Sequence, residues 1–401
     1  MIDVDEAQGI VLARSRPLPM VEMALVDALF RTLAAPIVCD VDYPPFDRSL
    51  MDGYAVRAAD TATVPVTLRV VGQVAAGTVA ENSVQNGEAM QINTGAPIPR
   101  GADAVVRVEL TKASTAGTVL VKESVPQGRF ITPRATYARA GQTVLEARSV
   151  LTPVNVGVAA TAGAARVTVF RQPSVAVLVT GDELIDVSDR PSGATIRNSN
   201  QYILESLVRA FHCRPTVLGV AKDDPDLLRR KIADGLEHDV LCMTGGVSMG
   251  AFDFVPDVLT ELGAEFHVHK MAIKPGRPTL FATTAEGKLI FALPGNPVSA
   301  LVGFHLLVVP ALAALQGRPT RPPMVRAVLR GEIPATGDRR SYRPARIGLA
   351  ANGEYEVHVL SWHGSGDAIG IAQADALIEQ PPQGPAACNG DWVSVLLLGS
   401  G

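Results

Sequence analysis

The stretch KLIFALPGNPVSALVGFHLLVV (residues 288–309) decides the fold. It opens as a continuous apolar run of strand length, breaks at two prolines flanking Gly295-Asn296, and resumes as an apolar segment of helical length. A short strand with no polar alternation is what a parallel sheet covered on both faces requires. Pro297 suits the first turn of a helix, where its missing N–H costs nothing. The same grammar occurs three times upstream. VAVLVT (175–180) precedes a polar loop and a helix around 199–211; TVLGVA (216–221) precedes DDPDLLRRKIADGL (223–236); DVLCMT (239–244) precedes GGVSMGAFDFVPDVLTELG (245–263). Four strand–loop–helix units in succession predict an open, mostly parallel sheet with helices on both faces, spanning 173–317.

On either side of this unit the pattern changes. After the Pro-rich RPTRPP (318–323), period-two strands return in VRAVLRGEI, EYEVHVLSW and WVSVLLLG, which predicts a small all-β module over 318–401. Upstream, short β-rich runs between Gly and Pro (VTLRVVGQV, AVVRVEL, TVLVKESV) predict a compact β domain over 46–138. The flanking segments 1–45 and 139–172 read as one further domain. Within it LPMVEMALVDALFRTLAA (18–35) places Met23, Val26, Leu29, Phe30 and Leu33 at helical spacing, so a helix is expected there. A chain of 401 residues exceeds what one core can hold, in keeping with several domains.

A net charge of -4 without clustered basic stripes excludes a nucleic-acid partner. Four dispersed cysteines (Cys39, Cys213, Cys242, Cys388) form no C-x-x-C pair and predict free thiols in a reducing compartment. The first ten residues, MIDVDEAQGI, lack an apolar core, so no signal peptide is expected and the predicted location is cytoplasmic. Residues 297–315 are apolar save Ser299 and His305 and long enough to cross a membrane. Pro310 inside them and the α/β context favour a buried core helix, with no membrane partner.

Ligands of open α/β sheets bind where the strands' carboxyl ends feed the helices. Here those loops hold the unusual residues: Asp182 and Glu183 in TGDEL, Asp223 and Asp224 in KDDPD, Gly245, Gly246, Ser248 and Asp253 in TGGVSMGAFD, and Pro294, Asn296 and Pro297 in LPGNPVSA. A Gly-rich turn before a helix offers backbone N–H groups to phosphate, although it can equally be a tight structural turn. Several carboxylates on one rim repel one another unless a hard cation sits among them, and magnesium bridges few carboxylates to phosphates. The plainer alternative for Asp223 or Asp224 is helix capping, and the same holds for Asn198, Ser199 and Asn200 in IRNSN. Lys274 and Arg277 in KPGRP suit an oxyanion or a phosphate tail, or else a solvated surface.

FDRSLMDGYAV (46–56), INTGAPIPRGADAVV (92–106), TGDEL, IRNSN, TGGVSMG with Asp253, KPGRP and LPGNPVSA occur together in one order. In these motifs the chain resembles, over nearly its whole length, the molybdopterin molybdenumtransferases, called MoeA in bacteria, with the E domain of gephyrin as the animal relative. The resemblance implies an elongated helical domain interrupted by a β domain, a doubly wound α/β domain of the molybdopterin-binding type, and a C-terminal β-barrel-like domain. It also implies a homodimer whose cleft combines two subunits. By resemblance, Asp52 and Thr94 line that cleft from the β domain, and Glu183, Asp224, Asp253, Lys274, Pro294 and Pro297 from the α/β domain; Arg343 and Ser365 are site positions of the C-terminal domain. Glu183 and Asp253 are the implied magnesium ligands. The implied reaction joins adenylylated molybdopterin and molybdate and releases AMP. Molybdenum is then held by the pterin's own dithiolene sulfurs, so the absence of a cysteine cluster fits.

One segment departs from the family. Where relatives read R-R-G-E-D, this chain has RATYARAGQTV (134–144), with Thr136 and Tyr137 at the two acid positions. Loss of a site acid motivates a second expectation, a catalytically weakened relative acting as a molybdopterin-binding or scaffold protein. A hydrolase of the competence-damage-inducible type shares TGDEL and a Gly-rich turn, but carries this domain at its N-terminus and lacks MDGYAV.

Overall fold

The computed structural model describes residues 1–114, 116–222, 224–247, 254–320 and 323–399. Asp223, Ser248 and Asp253, singled out above, lie outside the described residues.

At the centre is a six-stranded sheet in the order Arg214–Ala221, Ser174–Thr180, Val240–Thr244, Leu289–Leu293, Leu280–Thr283, Glu265–Val268. The first four strands are parallel and are the ones the apolar runs predict. The last two are antiparallel additions, absent from the sequence reading because each is only four residues long. Alternate residues serve opposite faces. Val175, Val177, Val240, Cys242, Leu289 and Phe291 pack on one side, against Leu204 and Val208 of the helix Asn200–Ala210 and against the apolar helix Pro297–Leu315. Ala176, Leu178, Leu241, Met243, Ile290 and Ala292 pack on the other, against Leu228 and Ile232 of the helix Pro225–Leu236 and against Val255, Val258 and Leu259 of the helix Val255–Glu261. Helices on both faces make the sheet doubly wound.

The helix Pro297–Leu315 is 89% buried within the protein's own core, as expected of a core helix. Its middle turn, Phe304–Val308, is π-helical, with the Val309 N–H donating to the Phe304 carbonyl five residues back. Pro310 follows directly; having no N–H to give, it breaks the regular ladder, and a wider turn in front of it accommodates that break. The first helix, Val4–Arg14, is capped by Asp3 and buries Val4, Ala7 and Val11 in this same core.

The helix expected at 18–35 is not formed. Met20–Ala24 is a strand paired antiparallel with Arg166–Phe170, followed by a single 3-10 turn, and Val26 is 82% exposed. Pro17 and Pro19 strip donors from the segment's start, and a partner strand 140 residues away overrides the local periodicity. This part keeps its own core around Leu33, Ile37, Leu151, Val167 and Val169 and one further helix, Pro153–Thr161, capped by Thr152. The inserted β domain is a six-stranded sheet in the order Ala104–Arg107, Gly53–Val56, Glu88–Ile92, Val66–Val74, Thr118–Val121, Thr111–Ser114. Gly53 of MDGYAV is obligatory there, since a Cβ would fall 1.9 Å from the Val106 carbonyl oxygen. In the C-terminal domain, strands Arg340–Leu349, Tyr355–Val359, Met324–Arg330, Trp392–Leu397 and Ala376–Gln380 pair in sequence. The last returns to the first, closing a five-stranded barrel. Two of these strands, Arg340–Leu349 and Ala376–Gln380, had no clear period-two signal in the sequence.

Candidate active site

Three parallel strands of the central sheet, Ser174–Thr180, Val240–Thr244 and Leu289–Leu293, end side by side. The loops that leave them enclose a cleft of about 790 Å³. Gly245 and Gly246 make its floor at φ +89° and +64°, a region that L side chains rarely enter. A Cβ on Gly245 would lie 2.4 Å from the Thr180 carbonyl oxygen, and one on Gly246 2.7 Å from a Val255 methyl. On one wall Asn296 opens the long helix without capping it; its Nδ2 donates to Ser365 Oγ at 2.9 Å instead. The Val298 N–H donates to the Ser365 carbonyl at 3.0 Å, so a barrel loop closes this helix start, and Gly366 and Ala368 of the same loop line the cleft. On the other wall Asn198 accepts the Gln201 N–H at 3.2 Å and caps the helix Asn200–Ala210. Asn200 is thereby free to donate Nδ2 to the Gly295 carbonyl at 2.7 Å, tying the two walls together.

Above the cleft lies a two-stranded parallel ribbon, Leu184–Ile185 against Ile196–Arg197. It brings Glu183 and Arg197 to the rim, the sole charged side chains lining the cleft among the described residues. Among those residues no hydrogen bond or ion pair engages the Glu183 carboxylate. Two buried oxygens, Asn200 Oδ1 and Thr244 Oγ1, also lack a hydrogen-bond partner among residues that line the cleft. Magnesium takes one or two protein carboxylates and keeps water and phosphate oxygens for the rest. An unengaged carboxylate in one cleft with unpartnered neutral oxygens fits such a sparse hard-cation site. Among the described residues there is no group of three or more His, Cys, Asp or Glu side chains, the pattern a fully protein-ligated ion would need.

The residues expected at the site therefore separate. Glu183, Gly245, Gly246, Pro294, Asn296 and Pro297 line the cleft, with Ser365 hydrogen-bonded to its rim. Lys274 and Arg343 line a second, smaller pocket of about 150 Å³ between the α/β domain and the barrel, together with Arg339, Ser341, Gln380 and Trp362. Burial holds the Arg343 guanidinium below the ordinary arginine range, and its Nε has no partner. Arg277 is exposed and lines neither pocket. Asp224 caps the helix Pro225–Leu236, accepting the Asp226 and Leu227 N–H groups at 2.9 Å each, and does not line the cleft; this is the plainer role foreseen for it. Asp52 accepts the Thr94 N–H at 2.7 Å, and this bond, with side-chain bonds from Thr94 and Asn93, holds its carboxyl below the usual carboxylate range. Among the described residues of 46–138 none lines the cleft of the same chain. Arg197, Arg339 and Trp362 were missed in the sequence: IRNSN displays Arg197, but its asparagines read as caps and drew attention from the cation.

A doubly wound sheet whose carboxyl edge holds a cleft of this size, joined to a closed barrel and a β insert, defines a multidomain enzyme built around a cofactor-sized ligand. Residues 2–163 match the MoeA N-terminal region (domain I and II), residues 176–314 a probable molybdopterin binding domain, and residues 326–398 the MoeA C-terminal region (domain IV). A molybdopterin molybdenumtransferase of Nostoc sp. is 35% identical over 378 residues, covering 92% of this chain and 86% of the relative. One from Staphylococcus aureus is 33% identical, covering 100% and 96%. The crystal structure of a molybdopterin biosynthesis MoeA protein from Pyrococcus horikoshii superposes with a TM-score of 0.84 at 30% identity, covering 99% of both chains. The chain belongs to the molybdopterin molybdenumtransferase family and is an enzyme of molybdenum-cofactor biosynthesis.

Proposed function

We propose that this enzyme inserts molybdenum into adenylylated molybdopterin, consuming molybdate, requiring magnesium and releasing AMP, as a cytoplasmic homodimer. The observation that carries the reading is the pairing of two unlike cavities. One, of about 790 Å³, has the size for a pterin nucleotide. The other, of about 150 Å³ and lined by Lys274, Arg339 and Arg343 against the single carboxylate of Asp338, has the size and the net positive charge for a small tetrahedral oxyanion.

In this reading the Gly245-Gly246 floor lets the substrate approach the backbone closely, and Pro294 and Pro297 keep the adjoining wall rigid. Lys274 and Arg343 hold the molybdate dianion by charge-assisted hydrogen bonds until the substrate's dithiolene sulfurs take the metal. Glu183 would hold the magnesium ion, with Asp253 as the second position that the family resemblance implies. When bound, magnesium neutralises phosphate charge as the adenylate leaves. Asp52 and Thr94 do not reach the cleft of their own chain, so a two-fold arrangement would bring them to the cleft of the partner.

The deciding experiment incubates purified protein with adenylylated molybdopterin, molybdate and magnesium and assays AMP. Metal-dependent AMP release is expected, and Glu183→Ala should lower it at least about a hundredfold with an unchanged melting temperature. Full turnover in the variant would remove Glu183 from the reaction. The second reading, a molybdopterin-binding or scaffold protein, is motivated by Tyr137 at a family acid position. It would appear as substrate binding without AMP release.

A further inference from the structure

We infer that Arg197 positions the substrate by gripping its phosphate, and that it is the principal cation of the large cleft. The inference rests on the reading that this cleft takes adenylylated molybdopterin. Among the described residues, several of the backbone N–H groups that could hold an anion are already engaged. The Gln201 N–H of the helix Asn200–Ala210 is taken by Asn198. At the start of the long helix Pro297 has no N–H, and that of Val298 is given to Ser365. The Gly245 N–H donates to the Leu293 carbonyl at 3.2 Å. Lys274 and Arg343 line the other pocket. Among the described residues Arg197 is the one basic side chain lining the cleft.

Its geometry suits the task. The Nε donates to the Asp189 carbonyl at 3.0 Å, which fixes the guanidinium on the ribbon. The terminal nitrogens make no ion pair among the described residues, and Glu183 sits on the adjacent strand end without pairing to it. A guanidinium held through Nε presents two terminal N–H groups side by side, the fork that matches two phosphate oxygens. Glu183 and Arg197 are then complementary: the carboxylate serves the cation that accompanies the phosphates, and the guanidinium serves the phosphates directly.

The test uses full-length protein, with AMP and adenosine as calorimetric probes and adenylylated molybdopterin as substrate. Arg197→Met keeps the aliphatic stem and removes the fork. It should weaken AMP roughly tenfold to a hundredfold and leave adenosine unchanged, while the salt dependence of AMP binding falls by about one charge. KM for adenylylated molybdopterin should rise with kcat nearly constant. Arg197→Lys, which restores a point charge without the fork, should recover part of the affinity. A merely structural role would lower the melting temperature and weaken adenosine too, which overturns the inference. AMP binding by Arg197→Met within twofold of the parent overturns it as well while leaving the functional reading intact. A parent protein that binds neither AMP nor adenylylated molybdopterin overturns both.

Discussion

Tyr137 shows how one substitution can shift the task of a position without disturbing its surroundings. Its N–H donates to the Tyr43 carbonyl at 2.9 Å, its ring lies 5.7 Å from that of Tyr43, and the Arg48 guanidinium sits 5.6 Å from the ring centre. The side chain is 54% exposed, so nothing in the chain itself demands a phenol there. A carboxylate at the same place would bind Arg48 as an ion pair and add negative charge, where the ring offers only its face. Tyr137→Asp should lower the magnesium concentration for half-maximal AMP release several-fold, measured by titration at fixed substrate; superimposable curves would put the residue outside the site. Asp52 behaves differently. Hydrogen bonds from Thr94 and Asn93 depress its pKa, so it is charged throughout the neutral range, and a break in activity near neutral pH would have to come from another group. At this scale the sequence made the acids and glycines legible, because their chemistry is unusual in a loop. It concealed which asparagine caps and which cation lines the cleft, since Asn200 is drawn away by the Gly295 carbonyl 95 residues on and Arg197 reaches the rim only through the pairing of the ribbon.

The long apolar helix illustrates the same limit for an element. Its hydrophobicity and its starting proline were plain, but the π turn arises only where Pro310 meets the packed core. Inside that turn His305 is fully buried, edge-on to Phe211 and Phe304, with Nε2 unpartnered. Burial pushes its pKa down to about 4, against an ordinary value near 6.5. Above pH 6.5 the ring is neutral folded or unfolded and costs nothing on this account. As pH falls from 6.5 towards 4, the unfolded chain gains a proton that the folded one refuses, so stability declines, by roughly 3 kcal/mol at the limit. His305→Phe should fill the same space, remove the unpartnered nitrogen and flatten the fall in melting temperature between pH 7.5 and 5; an unchanged slope would assign the acid sensitivity elsewhere. The segment 18–35 erred in the opposite sense. Its apolar spacing is genuine, but five residues of distant strand outweigh it. Short antiparallel strands such as Glu265–Val268 are likewise written in their partners more than in themselves.

At the scale of the molecule, the separation of Asp52 from Glu183 carries the last expectation. If the site is completed across a two-fold axis, mixing inactive Asp52→Ala and Glu183→Ala proteins should restore part of the activity through hybrid dimers, with up to one intact cleft in each. A mixture that stays inactive after subunit exchange, or a strictly monomeric protein in sedimentation, would show that one chain suffices. The α/β unit and the two β modules are legible in the sequence by their periods; the N-terminal part, whose helical spacing yields a strand, is not, and neither is the domains' mutual attachment. The helix Val4–Arg14 is the clearest case. It opens the chain, yet its core partners are Met271, Leu312 and Tyr342, Ile2 bridges to Met271, and Asp3 and Asp5 pair with Arg340 at 3.3 and 2.8 Å. These contacts join residues up to 337 positions apart, so they are among the last that folding can complete. Until they form, Val4, Ala7 and Val11 face water and the core surface that receives them stays open.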